Sequence, residues 1–352
     1  MLSKKTKYFL SLLLFPLLSL IYLPSCAYYL LNQTQGQIHI LLHRQPLAPL
    51  WKRKNFSKHK KKIQILRKLR HFATATLGMP TQGYRYFFDT QGRAVAWNIS
   101  AAPKLELTPI QWWFPIVGEV PYLGFFTKEE AIAAKYQLAQ AGYDVLMREV
   151  AAYSTLGWFD DPIFSPMLEN DIPVLVETTL HEIAHTHIYI PSHGNFNENI
   201  ATFIGEEGTK IFLKREFGKT SPLYREYLTI LKDREKLDDF IQQYYQQLDQ
   251  LYHSSLPRKE KLQQRKKIFL DMTKEFSRIR KKFQSQNYRY FLQIGWNNAV
   301  ILSLRRYRGS QRTLRQALKK HHHNLKRFIH YLKKLSEMEH PLQRLKEFVR
   351  QN

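Results

Sequence analysis

TLHEIAHTHIYIPSHGNFNENIATFIGEEG, residues 179–208, decides how the rest of this chain is read. His181 and His185 are four apart, so on an α-helix they lie one turn above each other on nearly the same face. Both imidazoles can then be offered to one ion. Glu182 is rotated off that line but stays close beside it. The pattern is therefore more than a His-rich amphipathic stretch. Without an ion, two histidines and a glutamate on one buried helix face would each need another partner, which is costly.

The arrangement is H-E-x-x-H, in which the carboxylate takes a proton from a metal-bound water in zinc peptidases. A catalytic zinc usually has three protein ligands and keeps one position for water. Glu198 is the expected third ligand. It is read as opening the next helix, with Pro191 and Gly194 in a loop that lets the chain double back. The spacer is short, so the loop must turn tightly. His193 in that loop is a competing ligand, and His187 points away from the ligand face. Glu206, eight residues past Glu198, returns to nearly the same helix face and is a candidate to orient a ligand or receive a substrate amine. His321-His322-His323, in a Lys-rich segment read as helix, fan out around the axis and form an exposed face.

The chain has 352 residues, 44% of them hydrophobic, which is enough for a real core. Residues 1–26 read as a secretory signal: Lys4, Lys5 and Lys7, an apolar run from Phe9 to Leu23, then Leu23-Pro-Ser-Cys26. Cys26 is the only cysteine, so no disulfide can hold the fold. Leu23–Cys26 looks like a bacterial lipobox with Cys26 as its lipidation site; an uncleaved anchor helix is the other reading. Both place the protein outside the cytoplasm at a membrane. The net charge of +25 draws such a chain to polyanions, here acidic lipids or envelope polymers. No nucleic-acid-binding signature accompanies the charge, so no nucleic acid partner is expected.

The rest of the chain predicts a mainly helical α+β fold. Residues 28–44 are helix-compatible, and Lys52–Phe72 is a basic helix with Ile63, Leu66 and Leu69 at helical spacing. Tyr84–Ile99 and Leu105–Phe126 supply a small N-terminal sheet, with Asp89-Thr-Gln-Gly92 as a turn. Thr127-Lys-Glu-Glu130 is a capping box ahead of a helix through Ala141. Val174–Tyr189 and Glu198–Phe217 flank the site loop. A long helical hairpin follows, Tyr224–Tyr252 and Pro257–Phe283. Leu237, Ile241, Tyr244, Leu248 and Leu251 face Leu262, Phe269, Met272, Phe276, Ile279 and Phe283 across it. Three regions result: a signal/lipobox segment (1–26), a mixed α/β metallopeptidase core (27–218) and a basic all-helical domain (219–352).

Several stretches carry a family likeness. They are Leu23–Cys26, Gly118-Glu-Val-Pro-Tyr-Leu-Gly-Phe-Phe126, Asp144-Val145, Ala152-Tyr-Ser-Thr-Leu-Gly-Trp-Phe-Asp-Asp-Pro162, His181–Gly208, and Asn297-Asn-Ala-Val300 near Tyr307. Together they resemble the putative aminopeptidase family of bacterial envelope lipoproteins. The likeness is dense from about residue 110 to 210 and sparse in the charged helices. It implies a zincin-like helix, one Zn2+ on His181, His185 and Glu198, and Glu182 as the base, with a peptide as substrate. It also implies removal of N-terminal residues by a lipid-anchored, periplasm-facing enzyme. Glu119 and His193 depart from the family pattern, at positions usually small or neutral and acidic respectively. Tyr153 and Tyr307 lie in matching motifs and are candidate oxyanion donors. Glu119, Asp160, Asp161 and Glu206 are candidates for the substrate amine. The Gly118–Phe126 strand offers an edge to an extended peptide, with Pro121 suited to an edge strand. A different class remains open beside it: a non-catalytic binding or assembly lipoprotein that keeps zinc as a staple.

Overall fold

The computed structural model describes residues 28–114, 117–285, 288 and 291–351. Cys26 and the segment before it lie outside the described residues. Among the described residues, no helix is long and apolar enough to cross a membrane. The chain divides into two compact units, Met1–Arg44 and Gln45–Asn352. In the first unit the described residues form one helix, α1, over residues 28–43.

The second unit is α+β and mainly helical. Its N-terminal part runs β1 (Gln45–Pro46), α2 (Lys60–Ala75), β2 (Tyr86–Phe88), β3 (Ala96–Ala102), β4 (Trp112–Phe114), β5 (Gly118–Val120), β6 (Leu123–Phe125), α3 (Lys128–Gln140), β7 (Asp144–Val150) and β8 (Ile163–Phe164). The helical part follows as α4 (Ser165–Glu169), α5 (Ile172–His187), α6 (Gly194–Phe217), α7 (Pro222–His253), α8 (Arg258–Ile279), α9 (Phe291–Ile294), α10 (Asn298–Arg308), α11 (Gln311–Lys320), α12 (Leu325–Leu335) and α13 (Pro341–Arg350).

The strands form three small sheets. β3 is central in one, with β6 and β7 antiparallel on either side; β4 pairs with β5, and β2 joins β1 to β8. Nearly every residue of β3 is buried, which suits a strand covered on both faces. The stretch expected as one strand, Gly118–Phe126, is split into β5 and β6 in different sheets, with Pro121 between them. Proline lacks the N–H that a ladder needs, so the chain changes sheets there.

The turn after β2 is held by Asp89, whose Oδ1 accepts from the Gln91 N–H at 2.8 Å. The capping box is also present: Thr127 Oγ1 accepts from Glu130 N and donates to Glu130 Oε2 at 2.6 Å. The basic helix begins later than expected. Leu50–Lys52 and Lys54–His59 wind as 3-10 turns, broken by extended Arg53, and α2 starts only at Lys60. At the other end of the chain, α11 stops at Lys320. His322 and His323 have φ of 54° and 56°, so the triple histidine is a left-handed turn rather than helix. His321 packs on Phe328, Tyr331 and Phe348.

α7 and α8 form the helical hairpin, turning at residues 254–257. Its seam follows most of the expected stripe: Leu237, Ile241, Tyr244, Leu248 and Leu251 bury against Met272 and Phe276, flanked by Phe269, Ile279 and Phe283, while Leu262 is only half-buried and lies outside this cluster. The same cluster takes in Ala299, Val300 and Ile301 of α10 and Leu146 of β7. Side chains from before and after residue 218 thus share one core.

Candidate metal centre

α5 begins with Pro173 in its first turn, where a missing N–H costs nothing, and ends at His187 ahead of Pro191. Its other faces are nearly all buried: Leu175, Val176, Leu180, Ile183 and Ala184 are core residues. That packing fixes the helix's rotation and aims His181 and His185 at α6. α6 approaches closely because Gly205 and Gly208 have no side chains to hold it off. A Cβ at Gly205 would lie 3.2 Å from the Glu177 carbonyl, and one at Gly208 would lie 2.9 Å from Leu180 Cδ1.

The short spacer works through Asn197. Its Oδ1 accepts from Ile190 N at 2.9 Å and its Nδ2 donates to Ile190 O at 2.8 Å. This amide clamp pins the start of α6 to the loop leaving α5. Contrary to expectation, Glu198 does not open α6. The helix starts at Gly194, with Phe196 and Asn197 already bonded back to the His193 carbonyl, so Glu198 stands one turn in.

Within this frame three donors converge. His181 Nε2 and His185 Nε2 are 3.1 Å apart, and Glu198 Oε2 lies 3.3 Å from the first and 3.5 Å from the second. The rings are nearly perpendicular, at 82°. Zinc bonds of roughly 2.0–2.1 Å in a tetrahedron put neighbouring ligand atoms about 3.3 Å apart. The spacing found here is that of a coordination shell's edges, and two imidazoles with one carboxylate are a donor set that zinc accepts. Among the described residues, no other group of His, Cys, Asp or Glu meets the geometry for holding a metal. His181 Nδ1 lies 3.5 Å from Thr202 Oγ1, while His185 Nδ1 is buried with no hydrogen-bond partner among the described residues.

The electrostatics follow from burial. Burial alone would raise the Glu198 carboxyl, but hydrogen bonds from His181 and His185 outweigh it and hold Glu198 well below the usual range. His181 runs the other way: burial disfavours its cation, yet Glu198 and Glu182 raise it above the ordinary histidine value. Glu182 is itself buried, and that burial raises it despite the two histidines. A carboxylate poised to hold a proton is what a general base needs.

The other candidates are dispersed. Tyr307 on α10 brings its ring within 6.2 Å of the His181 ring, and its hydroxyl accepts from Arg148 Nη2. Tyr153 stacks on Phe164 with centroids 5.4 Å apart, and burial pushes its phenol up. Glu206 is buried two turns beyond Glu198, where Arg234 (3.2 Å) and Arg308 both hold its carboxylate. Glu119 is exposed on β5, its backbone N–H on Ser192 Oγ at 3.1 Å. Asp160 pairs with Arg85 at 2.5 Å. Asp161 is buried and accepts from Thr155 and Ser154. His193 caps α6 and is not one of the three converging donors. His187 lines a cavity of about 750 Å³ beside His321 and His330.

Three residues near the site were not picked out from sequence. Arg148 on β7, Tyr122 between β5 and β6, and Arg306 on α10 all exert charge effects on or from Glu198. They come from strands and a helix distant in sequence, so no local spacing links them to the histidines. Asn298 explains the Asn297-Asn298 motif in structural terms. It is fully buried, with Nδ2 donating to the carbonyls of Pro103, Lys104 and Glu106 and Oδ1 accepting from Tyr252. It thereby anchors α10, and with it Tyr307, to the rest of the unit.

A family described as "putative aminopeptidase" matches residues 28–347. No curated protein and no solved structure matches the chain significantly.

Proposed function

The chain belongs to the putative aminopeptidase family, and from that premise we propose that it hydrolyses peptide bonds with one zinc ion held by His181, His185 and Glu198. Membership places it among the peptidases; the metal and the roles below are our reading. The observation that carries this reading is the 3.1–3.5 Å triangle of two imidazole nitrogens and one carboxylate oxygen, with buried Glu182 on the same helical turn.

Held by these three side chains, a zinc ion would supply Lewis acidity to a carbonyl and to water. Glu182 takes the water's proton and passes it to the leaving amine. Tyr307 accepts a hydrogen bond from Arg148, which leaves the phenol's own proton free to meet the oxygen that becomes negative. Glu119, exposed on β5, is the carboxylate open to a free amine, as an aminopeptidase requires. The N-terminal pattern ending at Cys26 supports action outside the cytoplasm from a lipid anchor, at the bacterial envelope.

The test is hydrolysis of short peptides by the purified protein, with and without chelator, beside Glu182→Gln. Chelation should abolish turnover and zinc should restore it. Glu182→Gln should lose roughly 10²–10⁴-fold in kcat while its zinc content stays the same. Full activity after both treatments would reject the mechanism.

A further inference from the structure

Among the described residues, three arginines drawn into the interior have carboxylate partners. Arg265 is paired with Asp144, Arg234 with Glu177 and Glu206, and Arg308 with Glu206 and Asp238. Arg148 breaks that pattern. It projects from β7, where it is paired with Asn98 of β3, and is half-buried beside the metal centre. One Nη2–H goes to Tyr307, and the guanidinium stands 5.0 Å from that ring's centroid. No carboxylate among the described residues forms an ion pair with it. No acceptor among the described residues takes its Nη1 or Nε donors, and the side chain is only half-buried.

Arg306 is a second cation that no carboxylate among the described residues pairs with. It is 2% exposed, spends Nη2 on Ser100 Oγ (3.1 Å) and Pro121 O (2.9 Å), and lies over the Tyr122 ring. The two acids nearby, Glu198 and Glu182, are committed to ligation and to proton transfer. With a divalent ion in place the cleft therefore carries two more positive charges than negative ones. Leaving a desolvated cation without a counter-ion is costly, and an accessible guanidinium fork matches a carboxylate in shape.

We propose that Arg148 receives a carboxylate of the substrate, so that the enzyme favours short peptides with a negative charge next to the bond it cuts. This rests on the peptidase reading above. The carboxylate has two sources, a peptide's own C-terminus or an Asp or Glu side chain, and both present the same group to Arg148.

The experiment measures binding by calorimetry to zinc-loaded Glu182→Gln protein, in which turnover is suppressed. The probes are tripeptides of one sequence with a free or amidated C-terminus, and with Asp or Asn next to the scissile bond. At least one carboxylate should bind tenfold or more tightly than its matched amide, and the pair that shows this identifies the source. Adding Arg148→Gln should erase the difference. Arg148→Lys should keep part of it, and circular dichroism checks that both variants fold. Adding Tyr307→Phe removes the hydroxyl that Arg148 bonds but should preserve the discrimination. Equal binding of acids and amides, absence of any binding, or discrimination that survives Arg148→Gln would overturn the inference. Cleavage by the wild type without carboxylate preference sinks this inference alone. Carboxylate-dependent binding without any cleavage sinks the peptidase reading alone.

Discussion

Asp161 is an acid whose ionisation opposes folding. Burial raises its carboxyl to about 6, against hydrogen bonds from Thr155 and with a further push from Glu182. In the unfolded chain an aspartate titrates near 3.9. Between those values the native state holds a proton that the unfolded state has lost, so stability falls as pH rises from about 4 to about 6. This is the reverse of a salt-bridged aspartate. A shift of about two units corresponds to roughly 3 kcal/mol. Urea unfolding of chelated wild type and Asp161→Asn across pH 4–7 should therefore diverge, with the wild type losing up to roughly 3 kcal/mol relative to the variant. Protonation of the histidines is common to both proteins and cancels in the difference. A gap that stays constant over the window would show that Asp161 titrates normally.

At the scale of elements, the metal centre depends on how α6 meets α5, and Asn197 controls that meeting. Its two hydrogen bonds to Ile190 lie in a buried loop, where each contributes about 1 kcal/mol and an orphaned backbone group costs more. Asn197→Ala should lose roughly 2 kcal/mol of stability and at least tenfold in zinc affinity, read by urea unfolding and by competition with a chelating dye. Loss of stability with zinc affinity unchanged would mean that α6 is positioned by the glycine contacts alone. The same junction shows what a sequence can and cannot disclose. His181, Glu182 and His185 were legible because one helical turn relates them, and Glu198 because its residue type completes the donor set. The start of α6 was not legible. Gly194 and Asn195 are poor helix formers, and Gly194 sits where a Cβ would meet Pro121 Cδ at 2.8 Å. The α7–α8 hairpin was read correctly because its stripe is long and periodic. Arg148 and Tyr122 were invisible, since sheet register and the packing of α10 bring them in from outside the local pattern.

For the molecule as a whole, the dominant quantity is charge. The chain carries 54 Lys and Arg against 29 Asp and Glu. Several of those acids are spent inside, on Arg234, Arg265 and Arg308, so the excess of positive charge lies largely at the surface. α8 illustrates this: Lys259, Lys261, Lys266, Lys267 and Lys274 decorate a helix whose inner face is apolar. Such a surface should hold anionic lipid through many weak contacts rather than through one built pocket. At 0.15 M salt the screening length is about 8 Å, and at 1 M about 3 Å, so contacts of this kind fade with ionic strength while buried pairs persist. Sedimentation with vesicles containing about 30% phosphatidylserine should show tight binding at 0.05 M salt and a loss of at least tenfold by 0.5 M. Neutral vesicles should fail to bind the chain from residue 28 onward, which lacks the N-terminal segment. Affinity that ignores salt would instead require a specific headgroup site. Peptide cleavage should be far less salt-sensitive than this adsorption, because the donors at the metal centre are shielded from the solution's ions.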